Sequence, residues 1–158
     1  MIFTVFLTAA LVILDQITKM LATTYLAPVG VLPFIPGVMQ LRYILNDGAA
    51  FSILSGNRFF LIAVTSVALL ALTLYLLFKK PQSRFEHFAW VLILAGGIGN
   101  LIDRVLHGVV VDFFEVTFMN FAVFNVADCF VCVGAALLLL FFVLEEVKNK
   151  KGTSHADS

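Results

Sequence analysis

Residues 122–144 read AVFNVADCFVCVGAALLLLFFVL, and their reading decides the fold class. A helix rising about 1.5 Å per residue crosses a hydrocarbon core of roughly 30 Å in about 20 residues, and this stretch is long and apolar enough to do so. Its one charged residue, Asp128, lies near its start. Three further stretches have the same character, at about 2–25, about 59–78 and about 87–107. The 158 residues are 61% hydrophobic and 13% charged, with a mean hydropathy of +1.04. Four spans then use nearly the whole length and leave little for a soluble domain. The expectation is an all-α membrane protein of four transmembrane helices, with residues 1–151 as one membrane-embedded domain. Residues 152–158, small and polar, are expected to be a disordered cytoplasmic tail.

The first span lacks a basic leader, and Asp15 and Lys19 interrupt it where a small-residue cleavage site would end a signal peptide, so it reads as a retained helix. Basic residues gather in Lys79-Lys80-Pro81-Gln82-Ser83-Arg84 and in Lys148-Asn149-Lys150-Lys151. The positive-inside rule places both segments in the cytoplasm, and an even number of spans puts the N-terminus there too. Residues 26–58 and 108–121 then face outward. Val38 to Ile44 alternates as a strand does, Asn46-Asp47-Gly48 favours a turn, and Gly108 to Val116 is β-branched and aromatic. The two segments are expected to pair as a small extracytoplasmic β-sheet.

The polar residues of the spans concentrate at the outward ends: Asp15, Gln16 and Lys19 in the first, Asn100, Asp103 and Arg104 in the third, Asn125 and Asp128 in the fourth. Asp15 and Lys19, and Asn100 and Arg104, are four apart, while Asn125 and Asp128 are three apart, which puts each pair on one helix face. Asp15 can pair with Lys19, and Asp103 with its neighbour Arg104. Adding Asp112 from Val110-Val111-Asp112-Phe113 brings the cluster to four acids (Asp15, Asp103, Asp112, Asp128) against two bases (Lys19, Arg104). Uncompensated charge is costly at membrane depth, so at least one acid is expected to hold a proton. Two carboxyls sharing a proton provide an acid and a base at one pH.

Other motifs read as structure. Gly96-Gly97-Ile98-Gly99-Asn100 lacks the order and strand-to-helix setting of a phosphate loop and fits close helix packing. Cys129 and Cys132 have redox spacing, but in apolar surroundings they read as small packing residues. His87, His107 and His155 are scattered, so neither a metal site nor a cofactor is expected. Ten basic residues balance ten acidic ones, which gives no footprint for nucleic acid.

Five motifs in order, Asp15-Gln16-x-x-Lys19, Asn46-Asp47-Gly48-Ala49-Ala50-Phe51, Gly96-Gly97-Ile98-Gly99-Asn100-Leu101-Ile102-Asp103-Arg104, Val110-Val111-Asp112-Phe113 and Phe124-Asn125-Val126-Ala127-Asp128, resemble those of the bacterial lipoprotein signal peptidases, the type II signal peptidases. The resemblance covers nearly the whole chain. It implies four transmembrane helices with a small extracytoplasmic β-cradle in the bacterial cytoplasmic (inner) membrane. It also implies an aspartyl endopeptidase that needs no metal, cutting diacylglyceryl-modified prolipoproteins just before the lipidated cysteine at the outer leaflet. Asp112 and Asp128 match the family's catalytic pair. Asn46, Gly48, Asn100, Arg104 and Asn125 match positions that line or support its substrate and inhibitor site, and Asp15 and Lys19 match positions that hold the site together. Partners implied are prolipoprotein substrates, membrane lipid and globomycin-type cyclic peptide inhibitors. The chain departs from many members at Leu45, where a basic residue is common, and at Asn120-Phe121-Ala122-Val123 before the last motif. A small proton-coupled transporter is the alternative from the residues alone; it would place its polar groups at the midplane, usually with internal repeat symmetry.

Overall fold

The computed structural model describes residues 2–49, 54–79 and 81–154. Four helices carry the fold: α1 (Ile2–Leu21), α2 (Arg58–Phe78), α3 (Arg84–Leu106) and α4 (Val126–Ser154). All four are long and apolar enough to cross a membrane, as expected. Half of the apolar stretch of α3 is buried, far more than in the others, so α3 is the helix around which the rest assemble. Large apolar side chains such as Phe3, Phe6, Phe59, Phe78 and Leu139 stand exposed on the outer faces. Water would not tolerate so much exposed apolar surface, and hydrocarbon does.

Helix limits follow local hydrogen bonding more closely than hydropathy. α3 starts at Arg84 because Ser83 caps it, its hydroxyl accepting from the Glu86 backbone N–H at 3.1 Å. α4 starts at Val126 and not near 122, because the residues before it pair with strand instead: Phe113 and Phe114 donate to the Phe124 carbonyl at 3.0 and 2.8 Å. Directly after α1, Ala22–Leu26 continues as a turn of π-helix, with the Ala27 N–H reaching the Ala22 carbonyl at 2.9 Å. At the far end α4 continues as helix to Ser154, into the segment expected to be a disordered tail, and residues 155–158 lie outside those described.

The outward segments form one antiparallel sheet in the order β1 (Val31–Ile35), β2 (Met39–Asn46), β3 (Val110–Val116). β2 and β3 are the expected pair, with Ile44 opposite Asp112. β1 is a strand that the prolines at 33 and 36 concealed. Pro33 is tolerated because β1 is an edge, and Pro36-Gly37 makes the turn to β2, Gly37 taking the positive φ of 72° that such a turn demands. Phe113 packs on Ala22 and Leu26, which seats the sheet on the end of α1.

Close approach and one buried cation hold the helices together. A Cβ at Gly96 would fall on the Ala127 carbonyl and the Val131 side chain, and one at Gly99 on the Asp15 carboxylate, so the glycine run serves packing as expected. Lys19, 3% exposed, bonds Asp15 of its own helix at 2.9 Å and Asp103 of α3 at 2.8 Å. Asp15 in turn accepts from the Ala127 N–H of α4 at 2.9 Å. Three helices therefore meet on one ammonium. The expectation that Asp103 pairs with Arg104 is corrected here: residues adjacent on a helix point about 100° apart, and Lys19 lies across the interface where Asp103 points.

Lys19→Met is expected to cost about 3–5 kcal/mol by leaving two buried carboxylates without their cation. Thermal unfolding in detergent micelles measures this, and Asp103→Asn added to it should recover part of the loss. Gly96→Ala should cost about 1–3 kcal/mol in the same assay, through overpacking against α4.

Candidate active site

Asn100 carries the order of the Lys19 cluster outward. Its side-chain oxygen accepts from Lys19 Nζ at 2.9 Å, which turns its amide nitrogen toward Asp128 Oδ1, 2.7 Å away. The same oxygen accepts from Asn125 Nδ2 at 3.2 Å. Asn125 is fully buried, and its Nδ2 also donates to Asp112 Oδ1 at 2.6 Å. One ammonium thus orients the Asn100 amide, and through it and Asn125 one bond to each acid.

Asn125 and Asp128 also close the start of α4 on each other. The Asp128 N–H donates to Asn125 Oδ1 at 3.0 Å, and the Asn125 N–H donates to Asp128 Oδ2 at 3.1 Å. This is a reciprocal capping box, and it explains the three-residue spacing better than a shared helix face does. Asp128 is thereby fixed by the helix end that it stabilises.

Asp112 arrives from the sheet. Its second oxygen accepts from Asn46 Nδ2 at 2.8 Å, and Asn46 Oδ1 accepts from the Gly48 N–H at 2.9 Å, so the side chain closes the expected turn and holds the acid at once. Arg104 reaches the same turn, donating to the Gly48 carbonyl at 2.9 Å. Ala50 and Phe51, which complete this motif, lie outside the described residues. Arg58, which the sequence did not single out, donates to the carbonyls of Arg104 and Val105, both at 2.8 Å, and secures the end of α3 that presents Arg104. Its place at the head of an apolar run was the only sign of it.

Among the described residues neither Asp112 nor Asp128 has an ion-pair partner; amides and one backbone N–H hold them instead. Burial raises the Asp112 carboxyl to about 6, with the Asp128 charge adding to the rise and the Asn46 and Asn125 amides opposing it. Both acids line one cavity of about 590 Å³, together with Asn46, Asn100 and Arg104. Its deeper wall is Thr65 of α2, Gly97 of α3, and Val131 and Cys132 of α4. All nine residues singled out from the sequence belong to this cavity or to the bonds behind it. Gly48, Asn125, Asp15 and Lys19 act through other residues and do not line the wall. A polar end carrying two differently held carboxyls and an apolar interior can take an extended, partly apolar chain and expose one of its carbonyls to acid and base.

The family model described as signal peptidase (SPase) II matches residues 7–144. A lipoprotein signal peptidase of Caldanaerobacter subterraneus subsp. tengcongensis is 46% identical over 130 residues, covering 82% of this chain and 88% of that protein. One from Streptococcus pyogenes serotype M2 is 42% identical over 137 residues, covering 86% and 90%. A bacterial membrane enzyme solved by the in meso method superposes with a TM-score of 0.82 at 32% identity, over 94% of this chain and 91% of its own. With four membrane-spanning helices and this match along most of its length, the chain belongs to the signal peptidase II family of proteases.

Proposed function

We propose that this protein is an intramembrane aspartyl endopeptidase that removes the signal peptide from diacylglyceryl-modified prolipoproteins, cutting on the N-terminal side of the lipidated cysteine. The observation that carries this reading is the pair Asp112 and Asp128 on one cavity wall, joined through Asn125 and free of any ion-pair partner among the described residues. The relatives named lipoprotein signal peptidase support the substrate class.

Asp112, with its raised affinity for a proton, is the acid, and Asp128 is the base. Asp128 takes a proton from a water molecule as its oxygen attacks the scissile carbonyl carbon, while the Asp112 proton is shared with the carbonyl oxygen. The tetrahedral intermediate then loses its C–N bond, and the proton on Asp128 passes to the departing amine. Asn46, Asn100 and Asn125 hold the acids in place, Arg104 and Gly48 shape the turn over the cavity, and Asp15 and Lys19 anchor the whole from behind.

Residues 1–151 act as one peptidase domain with both termini in the cytoplasm. Lys79, Arg84 and Lys148 stand at helix ends remote from the sheet, and with basic residues facing the cytoplasm this supports a cavity at the outer leaflet of the inner membrane. That is the depth at which a diacylglyceryl cysteine, its chains in lipid, presents its preceding peptide bond. Globomycin-type cyclic peptides would compete for the same cavity. A proton-coupled transporter would need polar groups reachable from both sides, whereas this cluster occupies one end.

Purified protein is expected to cleave a diacylglyceryl-modified prolipoprotein, with or without a metal chelator present. Asp112→Asn and Asp128→Asn should each reduce turnover on the order of a thousandfold, and substantial activity in either folded variant would remove the pair from the mechanism. Asp112 holds its proton below about pH 6 and loses it above. The kcat/KM profile should therefore fall on its alkaline side from near that value, as a property of the coupled pair; a profile still rising through pH 8 would exclude Asp112 as the acid.

A further inference from the structure

Asp112 stands at the junction of two cavities. Beyond it, on the sheet, lies a second and more polar cleft of about 400 Å³, lined by Arg42, Ile44, Glu115 and Asn120 and continuous with the first through Asn46, Asp112 and residues 121–123, which line both. Glu115 and Asp112 are three apart on β3 and would face opposite ways in a regular pleat. Both line the cleft, beside a bulge in the pairing of β2 with β3 between Leu41 and Ile44. Gln40 Nε2 donates to Glu115 at 2.6 Å and Arg42 Nη1 donates to it at 2.9 Å. The Gln40 bond and then the Arg42 bond and charge hold the Glu115 carboxyl below its usual range, against its partial burial, so the ion pair is maintained at neutral pH. Arg42 is thereby oriented, half exposed, and among the described residues nothing accepts from its Nε or Nη2.

Resting on the peptidase reading above, we propose that this cleft binds the polypeptide that follows the scissile bond, the first residues of the mature lipoprotein, with Arg42 donating to their main-chain carbonyl oxygens. A substrate chain passing Asp112 must leave in two directions. The cavity between α2, α3 and α4 is apolar past the acids and suits the apolar signal peptide. The cleft on the sheet is the more polar of the two and suits a chain bound for water. A guanidinium braced by Glu115, with donors to spare, matches carbonyls presented by an extended peptide.

Two synthetic substrates, identical through the diacylglyceryl cysteine, test this: one ends a single residue beyond it, and the other continues for roughly six residues, about 20 Å of extended chain. The wild type should favour the longer about tenfold in kcat/KM, mainly through KM, as expected for hydrogen bonds to a charged donor. Arg42→Ala should bring the ratio of long to short close to one. Asn120→Trp, which fills the cleft from an exposed position, should do the same without touching the ion pair. A wild-type ratio near one, or a ratio unchanged in a folded form of either variant, overturns the proposal. If the wild type cuts neither substrate, the peptidase reading itself fails, and this proposal with it.

Discussion

The structure depends on one buried ammonium. Lys19 is enclosed by Asp15, Asp103 and the side-chain oxygen of Asn100, all within 3 Å. A lone charge at this depth would be prohibitive, and a single partner would compensate it poorly. Two carboxylates and an amide oxygen compensate it well, and because they come from two helices while Asp15 also holds the α4 backbone, compensation and helix packing are the same event. The glycines at 96 and 99 permit it, since side chains there would stand between the partners.

From that cation the order passes outward without another charge. Lys19 fixes which way the Asn100 amide points, Asn100 bonds Asp128 and Asn125, and Asn125 bonds Asp112. The two acids are thus oriented by a positive group that touches neither. A cation directly on either acid would favour its ionised form and work against a shared proton. Amide donors allow more latitude, and the raised position of Asp112 is consistent with that. The sheet contributes by edge pairing: Phe124 pairs with Phe114 of β3, which brings Asn125 beside Asp112, 13 residues earlier in the chain.

Several elements were legible in the residues. The four spans are set by composition and length, because any apolar run long enough to cross hydrocarbon must be helical there. The strand pair β2–β3 followed from alternation and turn chemistry. β1 was hidden by its prolines, which are compatible with a strand at an edge. The Ser83-x-x-Glu86 pattern at the head of α3 is a capping signature that would have moved its start from 87 to 84. The wider role of Glu86 is tertiary: it is buried and accepts from Tyr75, Trp90 and the Gln82 backbone, an arrangement invisible until α2 and α3 are side by side.

By itself the sequence determined the membrane setting, the number of spans, and the gathering of four acids and two bases at one end, since hydropathy and helix rise are local properties. The family motifs followed from the same linear order. Which acid meets which cation was decided only in three dimensions: Asp103 turned from its neighbour Arg104 to Lys19, and Arg104 turned to the Gly48 carbonyl. So was the division of Asp112 between an apolar and a polar cavity. Charge pairing and cavity shape depend on distances across helix interfaces and strand bulges, and residue spacing along one chain does not contain them.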